Sequence, residues 1–455
     1  MSYRDSTRVN LDSLTPDQRE LYYKIEEFRK SDQKMMSVTG YAGTGKTYML
    51  NCVSDRDTGI CAPTHKAVTV LKNKVNVYSF AATLHSALGL REQRDGEIIK
   101  FVPDRNATFA LERLEDIDLL IVDESSMVDD TLFGYLDDYS DEYDFKVLFM
   151  GDPFQIPPVN LGSVSIPCDA EQCHSKDMPT SSLTKIVRQA EGNPIIHLSM
   201  MVRQEGLDYV RANLQRLAVE NEMGGVEKIS KADLGDLLDS LYLSPEAEDI
   251  DYVRTVAYTN KVVDNLNKLI RDSVMDSRGK VPTDDVMLGD YLVMSKPYLE
   301  GKKILLNNND EVEIVQLEEV RNDVDIINDD YPITYFKATV KNLANEGTVV
   351  VKILSKKSEP IYKEVMGLLL AAAKSKKKGS LEATTAWKEF YQFQEIFIDY
   401  KHVFAITAHK SQGSTYNTTI IMLNDIMKCG NVWERDRIFY TAVTRASNKV
   451  YIVTN

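Results

Sequence analysis

Short apolar runs that end in glycine or acid recur along the N-terminal part of the chain. MMSVTG at 35–40, LLIV at 119–122 and KVLFMG at 146–151 predict strands buried on both faces of a parallel sheet. TYMLNCV, which follows the first run after a glycine-rich loop, continues as a helix. Upstream, LTPDQRELYYKIEEF predicts another helix, with Thr15 as N-cap and Pro16 at the first helical position. LREQRDGEIIKFVPD reads as two short β runs around Asp95-Gly96, a strong hairpin-turn signal. From about 289 the pattern changes: GDYLVM, ILLNNNDEVEIVQ and YFKATVKN alternate, which suits a small β-barrel. Between Glu359 and Phe397 it turns helical, rich in Ala and Leu, with a break at Gly379-Ser380.

A chain of 455 residues is too long for one ordinary core and is expected to divide into two to four domains. It is 43% hydrophobic and 27% charged, with both signs mixed, as in a soluble globular protein. No apolar run of membrane length and no basic-then-apolar leader is present, so a cytoplasmic protein is expected, in the host cytoplasm if viral. Five cysteines suit a reducing compartment, and the one cluster, Cys168, Cys173 and His174, has no C-x-x-C pair and suggests no metal site. The net charge of −15 argues against coating nucleic acid by bulk electrostatics but leaves room for a local basic groove. Lysines gather in 352–378, a run that reads as a solvated helix face or a nucleic-acid contact.

Chemistry enters at GYAGTGKT, residues 40–47, which fits G-x-x-x-x-G-K-[ST] in the strand, loop and helix context that pattern needs. Gly40, Gly43 and Gly45 let backbone N–H groups close on phosphates, with Thr44 among them, and the helix start adds its positive dipole end. Lys46 would reach the β- and γ-phosphates of ATP, and Thr47 would place its hydroxyl on Mg²⁺. Asp123 and Glu124 end the buried run at 119–122, where strand C-termini bind ligands; Asp123 is assigned to Mg²⁺ and Glu124 to activating the attacking water. Gln155, after the third run, could sense the γ-phosphate, and Gln18 could offer its amide to an adenine edge.

Taken in order, TPDQ (15–18), GYAGTGKT (40–47), APTHKA (62–67), TLHSALG (83–89), VDESSM (122–127), GDPFQIPPV (151–159), LTKIVRQ (183–189), AYTN (257–260), TAHKSQGST (407–415) and YTAVTRA (440–446) resemble the superfamily 1 DNA helicases, especially the Dda- and RecD-like branch. A nucleotide kinase with one α/β core would have no use for TAHKSQGST so far from the loop. The resemblance implies an α/β fold of two RecA-like P-loop NTPase cores with parallel sheets. The first core would span 1–185 with a β-hairpin wedge inserted at about 90–115, and the second 186–288 with 401–455. An SH3-like β-barrel plus helical insertion would fill 289–400.

The same resemblance carries the remaining roles. Arg188 and Arg445 would sense the γ-phosphate as arginine fingers, and Gln155 and Gln412 would link nucleotide to DNA, with Gln412 and Gly413 on the ATP side. Pro63, Thr64, His65, Thr83, His85, Tyr258, Asn260 and His409 match DNA-facing positions. Phe101 would be the apolar tip of the wedge, and Trp387 could brace the helical insertion against wedge or strand, burial being its default reading. The implied activity is ATP- and Mg²⁺-dependent unwinding with 5′ to 3′ translocation on single-stranded DNA by a monomer, acting on forked duplex. Replication or recombination proteins such as a single-strand-binding protein are the implied partners. An RNA helicase of the same superfamily, or a single-strand translocase that remodels protein partners without unwinding, stay open.

Overall fold

The buried runs become strands whose register lines up their chemistry. In the computed structural model, which describes residues 11–95, 98–104, 106–158, 164–187, 191–283, 285–300, 303–321 and 331–455, the first core is a six-stranded sheet. Its order is Phe80–Thr83, Thr58–Ala62, Leu119–Asp123, Lys146–Gly151, Met35–Gly40, Thr180–Leu183, with every neighbouring pair parallel. Thr39 lies opposite Gly151 and Asp123 opposite Met150, so the loop after Gly40, the acid pair and Gly151-Asp152 leave the sheet along one edge. Strands this uniformly buried need apolar side chains on both faces, and Val38, Ile121, Leu148, Phe149 and Met150 supply them at 0% exposure.

The second core repeats the plan. Ala405–Thr407, Val253–Ala257, Tyr416–Met422, Ala446–Thr454 and Gly224–Ser230 form a parallel sheet, closed by an antiparallel edge strand Glu220–Asn221. The helices Pro194–Leu217 and Val432–Val443 pack on it through Leu198, Val202, Leu207, Ile438 and Phe439. Both cores fall in one compact unit, Met1–Arg91, Phe101–Val263 and Ala405–Asn455.

The other unit comprises Glu92–Lys100 and Asp264–Phe404. Its five-stranded antiparallel sheet runs Thr348–Leu354, Thr334–Asn342, Glu311–Arg321, Tyr291–Met294, Tyr400–His402, with a ribbon of Tyr298–Glu300 and Lys303–Leu306. Alternation is visible in Thr334–Asn342, where Tyr335, Ala338, Val340 and Asn342 are buried. Two helices follow, Glu359–Ser375 and Leu381–Gln394, with Gly379 (φ 80) in the break between them. Arg271 and Asp290 form an ion pair inside this unit at 2.8 Å, with side chains 4% and 1% exposed.

The hairpin expected around 95–96 forms as Leu90–Asp95 and Ile98–Pro103, while Gly96 lies outside the described residues. Thr108–Glu115, expected within the wedge, is instead a helix whose Leu114 is buried in the first core's hydrophobic cluster. No described helix is long and apolar enough to cross a membrane, and no described cluster of three His, Cys, Asp or Glu could hold a metal ion.

Candidate functional site

The phosphate loop is shaped by glycines and braced by a buried glutamine. Gly43 (φ 78) and Gly45 (φ 84) adopt left-handed conformations, and a Cβ on Gly45 would strike the Gln18 amide nitrogen. Gln18 is 3% exposed: Thr15 N–H donates to its Oε1 at 3.0 Å, and its Nε2 donates to the Thr44 carbonyl at 3.3 Å. The capping box expected of a helix start therefore also buttresses the loop. Lys46 begins its helix and folds back, its Nζ donating to the carbonyls of Gly40 (2.5 Å) and Tyr41 (3.2 Å). Thr44 Oγ1 donates to the Tyr41 carbonyl at 2.8 Å, and Thr47 is half-buried one residue after Lys46.

Beside the loop, Glu124 takes a left-handed backbone (φ 51, ψ 39), unusual for a side chain of its size. Its Oε2 is buried without a hydrogen-bond partner. Burial and the neighbouring Glu124 push the Asp123 carboxyl up to about 7, against the pull of Lys46. Gly151 must be glycine, since a Cβ there would collide with Ser125 and come within 2.8 Å of the Cys168 sulfur. Gln155 is 6% exposed and its Oε1 also lacks a partner. The carboxylates, the lysine and the Thr47 hydroxyl form a hard-oxygen and cationic set suited to a magnesium–triphosphate.

Second-core side chains reach this edge. Tyr440 O–H donates to Asp152 Oδ2 at 2.6 Å and accepts from Ala42 N–H of the phosphate loop at 3.1 Å. Both Tyr440 and Asp152 are 0% exposed, and burial together with Asp152 pushes the phenol well above its ordinary value. Gln412 Nε2 donates to the Ile156 carbonyl at 2.7 Å, and Thr441 Oγ1 accepts from Ile156 N–H at 3.3 Å. Neither Tyr440 nor Thr441 was singled out from the sequence, although both lie within a quoted motif. Nothing in residue type marks a tyrosine as a bridge rather than a core filler.

Several of the expected site residues have partners that the sequence did not suggest. Arg445 is 5% exposed and spends its guanidinium on its own core, donating to the carbonyls of Thr441 (3.1 Å) and Ser414 (3.1 Å) and to Thr444 Oγ1 (3.3 Å). Arg188 lies outside the described residues. Gly413 (φ 72) sits against the segment expected to face DNA, since a Cβ would come within 3.0 Å of Ala67 and 3.2 Å of Thr64 Oγ1. Its place is therefore beside 64–67. Gln412 meets the first core through the Ile156 carbonyl.

The residues expected to face DNA form two groups. Thr64 caps the helix His65–Lys74, accepting from Ala67 N–H at 3.2 Å, with Pro63 half-buried and His65 exposed. Tyr258 and His409 stand 6.5 Å apart, burial bringing the His409 imidazole below its ordinary value against the pull of Glu434. Asn260 opens the helix Asn260–Ser277. Asp425, which no motif flags, fixes this loop by accepting from the Tyr258 and Thr259 amides at 2.9 and 2.7 Å. In the other group Thr83 caps Leu84–Ala87, and the rings of His85 and Phe101 meet edge-on at 4.5 Å.

Phe101 is 44% exposed, but it sits in the strand Ile98–Pro103 leaning on His85 and is not the hairpin tip. Along the hairpin, Arg94 pairs with Glu92 and with Glu395 (2.5 Å) and stacks on Tyr391 at 4.3 Å. Trp387 is half-buried and stacks on Tyr391 at 5.9 Å, so it backs this contact instead of filling a core.

Two parallel-sheet cores meeting at a phosphate loop, an acid pair and a bridging tyrosine define a two-core P-loop nucleoside triphosphatase. Residues 13–228 match a family model described as an AAA domain, 283–402 the Dda helicase SH3 domain, and 402–453 the UvrD-like helicase C-terminal domain. The chain is 27% identical to the ATP-dependent DNA helicase dda of Enterobacteria phage T4, over 98% of this chain and all of that protein. It is 34% identical over 171 residues to the ATP-dependent RecD2 DNA helicase of Deinococcus radiodurans, covering 36% of this chain and 21% of that one. A Pif1 helicase solved in work on DNA unwinding at forked duplex shares the fold, with a TM-score of 0.51 and 18% identity over 96% of this chain and 92% of that one. In its matched domains and along its whole length the chain is similar to the superfamily 1 helicases of the Dda- and RecD-like branch.

Proposed function

We propose that this protein is an ATP-dependent DNA helicase that translocates 5′ to 3′ on single-stranded DNA and unwinds duplex at a fork. The observation that carries the reading is the bond chain Ala42 N–H to Tyr440 O–H to Asp152, which ties the phosphate loop to the second core through a buried phenol. A nucleotide that changes the loop must act on that link, which gives hydrolysis a path to relative motion of the cores. The likeness to the ATP-dependent DNA helicase dda, which spans the whole of that protein, supports DNA as the track.

In this reading Lys46 binds the β- and γ-phosphates, the loop amides of 43–47 and the helix start cradle them, and Gln18 offers its second amide hydrogen to the base. Glu124, with Oε2 unpartnered and aimed by its left-handed backbone, orients and deprotonates the attacking water. Gln155 supplies its unpartnered Oε1 beside it. Mg²⁺ held by Thr47 and Asp123 would neutralise charge on the phosphate oxygens. The strand runs over Pro63–His65, Tyr258, Asn260 and His409, with His85 and Phe101 offering a ring surface for a base. In this reading the protein acts as a monomer, and a single-strand-binding protein is the class of partner that shares its track.

Lys46→Ala tests the assignment of the loop. The variant should lose ATP hydrolysis and unwinding while still binding labelled single-stranded DNA. Turnover at the wild-type rate would overturn it.

A further inference from the structure

Arginine from the second core is what the proposed function asks for; Arg445 is committed to its own core's carbonyls, and Arg188 lies outside the described residues. A different arginine faces the phosphate loop. The Arg203 guanidinium lies 3.5 Å over the ring of Tyr41, between Gly40 and Ala42. Its Nε is buried without a hydrogen-bond partner, and it makes no ion pair among the described residues. The Tyr41 carbonyl in turn accepts from Lys46 Nζ and from Thr44 Oγ1, so Arg203 stands next to the lysine that grips phosphate.

The fold holds it there. The helix Pro194–Leu217 breaks at Gly206 (φ 81, ψ 167), three residues beyond Arg203, and the restarted helix is capped where Leu207 N–H donates to Asp436 Oδ1 at 3.2 Å. Arg435 next to it pairs with Asp208 at 2.6 Å. On the same helix Arg437 is gripped between Phe154 (4.7 Å) and Trp433 (3.8 Å), its Nε also buried without a partner. Burial holds the Arg437 guanidinium down at about 10 despite Asp436 and Asp152. Two guanidiniums thus stand, largely out of water, beside a loop built for polyphosphate. A ring face is a weaker partner for such a fork than a phosphate oxygen.

We propose that Arg203 is a further nucleotide-binding residue, which leaves the ring of Tyr41 to donate to the γ-phosphate of ATP from the second-core side of the cleft. This rests on the function proposed above. Arg437, clamped by two rings, is the fixed positive charge behind it.

The test uses the full chain carrying Glu124→Gln to block hydrolysis, with dissociation constants measured for Mg-ATP and Mg-ADP. Arg203→Ala should weaken ATP about ten- to a hundredfold and leave ADP within about twofold. Arg203→Lys should keep part of the preference. With Glu124 restored, Arg203→Ala should lower DNA-stimulated kcat about a hundredfold. Equal weakening of both nucleotides, or the same loss of preference in Tyr41→Leu, would overturn the proposal by reducing Arg203 to a brace for the loop. If Arg203→Ala melts early, the ATP-to-ADP ratio of Arg203→Lys decides, an unchanged ratio counting against. Turnover surviving in Lys46→Ala would instead sink the functional reading; an inactive Lys46→Ala beside an unaffected Arg203→Ala sinks this inference alone.

Discussion

Glu124 holds a conformation that costs on the order of 1–3 kcal/mol for a residue with a side chain, and a buried oxygen without a partner besides. Such a cost persists where the group is used, and Glu124→Gln should cut DNA-stimulated ATP turnover on the order of 10² to 10⁴-fold while ATP still binds. A loss of less than about tenfold would move the base elsewhere. Tyr440 makes the opposite kind of contribution. Tyr440→Phe keeps the ring against Phe154 but strips a partner from the buried Asp152 carboxylate, and should cost about 1–3 kcal/mol in a urea melt. No change in stability would mean that Asp152 does not depend on the phenol. Lys46, Thr47, Asp123 and Glu124 could be proposed from residue identity, because phosphate and magnesium chemistry asks for those types at that spacing. Tyr440 and Arg203 were not legible, since their roles arise from which residues the second core sets opposite the loop.

At the scale of elements, the buried apolar runs were read correctly as parallel strands, and the alternating runs after 289 as a β unit. The helix Thr108–Glu115 went unread because its burial depends on Leu114 meeting the first core, a tertiary fact that local pattern does not carry. Phe101 was misplaced for a similar reason: an exposed hairpin aromatic looks like a tip until His85 is found beneath it. The hairpin's own brace is Arg94 on Glu395 and Tyr391, with Trp387 behind. Arg94→Ala should reduce unwinding of a fork several-fold more than it reduces single-strand-stimulated ATPase; equal losses would remove the hairpin from strand separation. The pair of Arg271 and Asp290 is a different case, being buried inside its unit. Asp290→Ala leaves an unpaired guanidinium and should destabilise that unit by about 3–5 kcal/mol in a thermal melt. A shift under about 1 kcal/mol would show that water reaches the arginine.

For the whole molecule, the ordered motifs were enough to point to two cores, because a lone phosphate loop needs no second sheet. The sequence left open which side chains join them, and the bridges through Tyr440, Gln412 and Thr441 answer that at the level of single hydrogen bonds. In the proposed function, those bridges make hydrolysis something the second core must register. The most direct measurement is ATP-driven strand separation on two matched forks, one with only a 5′ single-stranded tail and one with only a 3′ tail. The 5′-tailed fork should open and the 3′-tailed one should not, with both activities absent in Lys46→Ala. Opening of neither fork while single strands still stimulate ATPase, or opening of the 3′-tailed fork alone, would contradict the reading.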